Sequence, residues 1–210
     1  MHKVRFLGLA LCLAMCAQQS AAHPHAFIDL QTTFVSQNDA LTGMQMRWLF
    51  DEPSSAEILY ELKTGKNSPA KRKALADEIM QNIVNQHYFS YFYNAQHEPI
   101  KYTSKPSDYG FEVKGHQLLF YFTLNLTHPQ PLKGFKALLQ TYDPSYYVEM
   151  SYPNNHGAEP PAGSQCKVSV TTPSIDETLK QYANGLDKSQ KDEDFSLGVQ
   201  FAQRVELTCP

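Results

Sequence analysis

The residues best suited to chemistry stand near the start of the chain, in the run His23-Pro24-His25. Neutral imidazole is a ligand for zinc, copper and nickel. On an extended chain, His23 and His25 project to the same side, ~6.8 Å apart along the strand, and can meet at one ion. If the chain is cut before His23, the new terminal amine, which titrates at about 7.7–8.0, adds a third nitrogen. A structural zinc site uses four ligands, so a His-x-His pair needs partners from elsewhere in the fold. Asp29 shares that side but lies ~13 Å beyond His25 on an ideal strand, too far for the same ion unless the chain bends. The plain alternative is a solvated terminal tail.

Two acidic segments are further candidates. Trp48-Leu49-Phe50-Asp51-Glu52 ends an apolar alternation in adjacent carboxylates, and Tyr142-Asp143-Pro144-Ser145-Tyr146-Tyr147 places one carboxylate at a turn among tyrosines. Structural roles fit both, because a helix start favours an acid and Asp-Pro is a turn dipeptide. His87, His97, His116, His128 and His156 have no second His or Cys at ligand spacing, although the turn-rich setting of His156 would let it reach an ion. The chain has no Gly-x-Ser-x-Gly elbow, no His-Glu-x-x-His, no phosphate-cradling glycine loop and no Cys-x-x-Cys. The expectation is therefore a binding protein rather than an enzyme.

The N-terminus has the three zones of a secretory signal. Lys3 and Arg5 precede an uncharged apolar run, Phe6 to Ala17, and Ser20-Ala21-Ala22 supplies small residues before His23. That run is about half the ~20 residues a membrane-spanning helix needs. Residues 1–22 are read as a cleaved signal and 23–210 as one exported domain. Leu13-Ala14-Met15-Cys16 loosely resembles a lipobox, with lipidation of Cys16 as the alternative, but Met15 is too large for the position before the cysteine. Cleavage removes Cys12 and Cys16 and leaves Cys166 and Cys209, an even pair for which a disulfide is the default outside the cytoplasm. It also removes two cations, taking the net charge from −3 to about −5. That sign disfavours nucleic acid and anionic membrane surfaces as partners. No later run is apolar enough to span a membrane, so the mature chain is not expected to be an integral membrane protein.

The elements that must position these residues are mostly strands. Period-2 alternation marks Ala26–Phe34, Met44–Phe50, Leu118–Leu126, Tyr146–Tyr152 and Val168–Val170, and Val199, Phe201, Val205 and Leu207 share one face near the end. Asn38-Asp39-Ala40 reads as a hairpin turn. Helices are expected over 54–63, over 69–86 with Pro69 in the first turn, and from Ser174. There Ser174 and Glu177 have capping-box spacing, and Ile175, Leu179, Tyr182 and Leu186 form an apolar stripe. Lys188 to Asp194 reads as a solvated charged loop, and Pro153 to Pro161 as a turn-rich connection. The predicted fold class is α+β: mainly antiparallel sheet with two or three helices and one disulfide.

Taken together, His23-Pro24-His25-Ala26-Phe27-Ile28-Asp29, Trp48-Leu49-Phe50-Asp51-Glu52 and Tyr142-Asp143-Pro144-Ser145-Tyr146-Tyr147-Val148 resemble a family of bacterial periplasmic proteins catalogued as a domain of unknown function. Leu197-Gly198, Phe201-Ala202, Val205 and Cys209 resemble that family's ending, so the likeness runs in order from His23 to Cys209. The resemblance implies a periplasmic partner of an inner-membrane metal permease of the nickel/cobalt type, linked in some bacteria to zinc uptake. It makes His23 and His25 the first candidate ligands, with Asp143 and Asp51 as weaker ones. Relatives carry an acidic, glycine-containing calcium-type loop between the two early helices. Residues 63–68 lack the carboxylates such a loop needs, so calcium binding is not expected.

The leading expectation is thus a zinc-binding accessory protein of a metal transporter, with nickel or copper as other metals. A copper clasp built from the His23 amine and two imidazoles is the first alternative, since copper(II) outcompetes zinc at nitrogen sites. A metal-free scaffold for the permease and a copper-dependent oxidase or oxygenase are the others. An extra residue before His23 would destroy the clasp and leave imidazole ligation intact.

Overall fold

The computed structural model describes residues 24–65, 67–186 and 196–210. The segment read as a signal, His23, Lys66 and the charged run Lys188 to Asp194 lie outside the described residues.

Strands β1 (Ala26–Gln37) and β2 (Ala40–Phe50) form a long hairpin. At its tip Asn38 and Asp39 have φ of 50° and 57°, and Gln37 pairs with Ala40. Two successive left-handed residues are what a tight hairpin turn requires, and Asn and Asp tolerate them. Helix α1 (Glu52–Thr64) follows with Asp51 as its N-cap, and α2 (Pro69–Asn85) starts on a Ser68 cap with Pro69 first. Both expected helices are present, with bounds shifted by no more than about two residues, the usual uncertainty of a helix end. Then come β3 (Ser90–Asn94), β4 (Ser107–Lys114), β5 (Gln117–Pro131), β6 (Lys136–Thr141), β7 (Val148–Ser151), β8 (Ala158–Glu159) and β9 (Lys167–Thr171). The chain ends with α3 (Glu177–Gly185), α4 (Leu197–Phe201) and β10 (Arg204–Thr208).

These strands make two sheets. One runs β4-β5-β2-β1-β7 with β8 also pairing β1, and the other runs β3-β6-β10-β9. The architecture is α+β, as expected. In the first sheet β7 and β8 run parallel to β1 while the other pairings are antiparallel. The inward faces of the two sheets share one core, in which Phe34 of β1 meets Phe92 of β3 at 6.0 Å and Trp48 stands edge-on to Phe122 at 4.9 Å. Leu62 of α1 and Leu75, Ala76, Met80 and Ile83 of α2 join that core. The expected disulfide is present, Cys166 to Cys209, directly beyond the Lys167–Thr208 pair of β9 and β10.

Three expectations need correction. The third helix starts at Glu177, where the Asp176 carboxylate accepts the Leu179 N–H at 2.8 Å. Asp caps as well as Ser and sits next to the first helical residue, so the Ser174 box is not used. Ala183 is the buried residue of that helix and Leu186, its C-cap, is buried just beyond it, whereas Tyr182 is exposed. Residues 199–207 are not one strand, because α4 lets Leu197 and Phe201 reach the same apolar cluster from four positions apart. Finally β3, β4, β6 and the two-residue β8 stand where no strand was expected. In β6, Ala137, Leu138 and Leu139 are all buried in succession, since the strand lies inside its sheet and is covered on both faces, so no alternation marks it.

Candidate functional site

The start of β1 is fixed from both sides by the segments singled out in the sequence. On one side β1 pairs with β7, Ala26 opposite Val148 and Phe27 opposite Glu149. The His25 N–H donates to the Tyr147 carbonyl at 2.9 Å, and the half-buried imidazole lies 4.7 Å from the Tyr147 ring at an angle of 49°. On the other side Asp51 meets Phe27 twice: its N–H donates to the Phe27 carbonyl at 3.0 Å, and its Oδ2 accepts the Phe27 N–H at 2.7 Å. Oδ1 of the same carboxylate accepts the Ser54 N–H at 2.6 Å and so caps α1.

Asp143 does comparable work beside β7. Its Oδ1 accepts the Ser145 N–H at 2.9 Å and the Ser145 hydroxyl at 2.8 Å, and its Oδ2 accepts the Val148 N–H at 3.0 Å. An Asp ahead of Pro144 thereby closes the turn with its side chain, as Asx turns do. The structure thus gathers His25, Asp51 and the 143–148 turn around one strand start. It does not gather their side chains into a ligand set. Among the described residues no group of three or more His, Cys, Asp or Glu converges in a metal-holding arrangement. His23 lies outside the described residues. His156 lines a different cavity, about 430 Å³, with Asp29, Arg47 and Lys114.

Sequence reasoning missed Glu149 and the role of Tyr146. Glu149 is half-buried, and burial lifts its carboxyl above the usual carboxylate range; the Tyr146 hydroxyl, donating from 3.5 Å, pulls it partly back and the Asp29 charge pushes it up further. Tyr146 has φ 55° and stacks on Phe201 with ring centroids 4.1 Å apart, and burial raises its phenol well above the ordinary range. Both residues line a cavity of about 300 Å³ between β7 and the segments around 172–175 and 198–203. The only sequence signal for Glu149 was its place on the polar side of the 146–152 alternation, which gave no hint that later chain would cover it.

The model for the family described as protein of unknown function (DUF1007) matches residues 8–209. The chain belongs to this family. It is also 49% identical over 189 residues to a protein of Haemophilus influenzae (strain ATCC 51907 / DSM 11121 / KW20 / Rd) described as an uncharacterized protein, the match covering 90% of this chain and 91% of the other. No solved structure matches the chain. In this DUF1007 protein, no helix among the described residues is long and apolar enough to cross a membrane.

Proposed function

We propose that this DUF1007 protein acts in the periplasm as a divalent-metal-binding accessory protein, with zinc as its cargo, for an inner-membrane metal permease. The observation that carries this reading is the double clamp on the start of β1, where Tyr147 holds His25 and Asp51 holds Phe27 through their backbones. A ligand on a strand fixed from both sides loses little freedom when it binds an ion, and such preorganisation raises affinity. His23 and His25 supply the imidazoles. Asp51 and Asp143, each of whose oxygens already accepts a backbone N–H, position the segments around His25 and are the weaker ligand candidates. The Cys166–Cys209 bridge supports the compartment, because disulfides persist where thiols are not kept reduced. Zinc needs neutral imidazoles, so capture weakens as pH falls toward about 6.

The test is calorimetric titration of zinc into protein beginning at His23, beside His23→Ala/His25→Ala. Tight one-to-one binding that disappears in the variant is expected. Binding unchanged in the variant, or absent from the wild type, overturns the terminal zinc site. Adding one residue before His23 separates the zinc reading, which survives it, from the copper clasp, which does not.

A further inference from the structure

The cavity beside β7 has polar groups that no described residue takes up, and they have a pattern. In a parallel ladder successive residues turn their N–H and C=O to alternate sides of the strand. Tyr147 faces β1, since its carbonyl takes the His25 N–H. Val148, Met150 and Tyr152 therefore face away from β1, and among the described residues β7 is the end of its sheet, so no further strand there takes them up.

Side chains serve the N–H of Val148 and both ends of Tyr152. The Val148 N–H goes to Asp143. Tyr152 is held at both ends by Gln203, whose Oε1 accepts the Tyr152 N–H at 2.5 Å and whose Nε2 donates to the Tyr152 carbonyl at 3.1 Å. Gln203 is fully committed, because Nε2 also reaches Asn155 and Thr172 at 2.9 and 3.0 Å. Between the two clamps Met150 presents one N–H and one C=O at the strand edge, and Met150 lines the cavity. A strand edge that offers a donor and an acceptor is a template for pairing with an amide.

The Glu149 carboxylate also lines the cavity, and the one protein hydrogen bond described to it is the 3.5 Å contact from Tyr146. A half-buried carboxylate with one long hydrogen bond is poorly solvated and favours an incoming cation. A metal ion is a poor match, since zinc asks for about four ligands and calcium for six to eight, and Glu149 is the single carboxylate among the described residues of the cavity wall. Phe201 and Ile175 add apolar wall. The volume, about 300 Å³, is at the small end for ligand sites and suits one or two residues of a peptide.

We propose that this cavity binds the amino-terminal end of a short peptide or amino-acid amide, its ammonium on Glu149, its first amide on the Met150 backbone and its side chain against Phe201 and Ile175. The site is independent of the metal reading, since neither His23 nor His25 takes part.

The test titrates three compounds into the full protein at pH about 6.5, where an α-amino group is protonated. These are phenylalaninamide, N-acetylphenylalaninamide, which lacks the cation, and phenylalanine methyl ester, which lacks the amide donor. Phenylalaninamide is expected to bind saturably. Acetylation should weaken binding at least tenfold and the ester several-fold, and Glu149→Gln should erase the difference between the free and acetylated amides. Equal binding of the three compounds, no saturable binding of phenylalaninamide, or a Glu149→Gln protein that keeps the tenfold preference overturns the proposal. The comparison among compounds uses the unaltered protein, so it holds whether or not the variant folds.

Discussion

One carboxylate ties Phe27 to the start of α1: Asp51 receives the Phe27 N–H on one oxygen and the Ser54 N–H on the other. Removing it strips a helix cap and leaves a strand-end donor without its acceptor. Asp51→Ala should cost on the order of 2 kcal/mol, read as a lower urea midpoint with an unchanged slope. Asp51→Asn keeps one acceptor oxygen and should fall between. If Asp51 only positions β1, zinc affinity and stability decline together across the two variants. A Asn variant of full stability that no longer binds zinc would make Asp51 a ligand instead.

Gly198 is held against the Asp143 turn. Its N–H donates to the Pro144 carbonyl at 3.1 Å, and a Cβ there would overlap the Asp143 carbonyl oxygen. Gly198→Ala must push α4 away from the turn, at a cost of about 1–3 kcal/mol by analogy with overpacked cores. Because α4 carries Phe201 onto Tyr146, the near-ultraviolet circular dichroism of the tyrosines should change as well. A variant with wild-type stability and spectrum would show that the α4 contact is soft.

How far the sequence reveals this molecule depends on whether the signal is local. The β1–β2 hairpin is legible because Asn38 and Asp39 suit a left-handed turn between two alternating runs. The same holds for β5 and for α2, whose Ser68-Pro69 start is a cap followed by a residue already set for the first turn. The Cys166–Cys209 pair follows from cysteine count and compartment. What escaped was decided by distant chain. The stretch around β6 lost its alternation through burial on both faces, and α4 is set by Tyr146 and Asp143, far away in sequence. At the candidate site the sequence singled out segments that meet at the start of β1, but carboxylates at strand ends could equally bind metal or backbone. Only the distances from Asp51 to Phe27 and from Asp143 to Val148 show that backbone donors occupy them. Glu149 was invisible for the same reason, since nothing nearby in the chain encloses it.

The disulfide closes a separation of 43 residues and staples the open end of the β9–β10 ladder. In the chain-entropy model that loop contributes about 4 kcal/mol by restricting the unfolded chain. Cys166→Ala/Cys209→Ala, or reduction of the wild type, should lower stability by roughly that amount, measured by urea unfolding. Loss of less than about 1 kcal/mol would mean that the loop is already constrained in the unfolded state.

Tyr152 gives the fold an alkaline limit. It is 1% exposed, its hydroxyl shares a 2.8 Å hydrogen bond with Thr32 Oγ1, and burial pushes its phenol up to about 12 while that bond pulls it partly back. An unfolded tyrosine titrates at about 10. Between those values the unfolded chain gives up the proton first, so the native state holds more protons and stability falls as pH rises. Tyr152→Phe loses the hydrogen bond, and at pH 8 it should be less stable than wild type by on the order of 1 kcal/mol. It also lacks the phenol that must ionise, so its own decline above pH about 10 should be shallower. The two urea midpoints should therefore converge as pH is raised from about 10 toward 12, with the other tyrosines contributing equally to both proteins. A gap that stays constant over that range would mean that Tyr152 ionises as readily in the folded protein as in the unfolded chain.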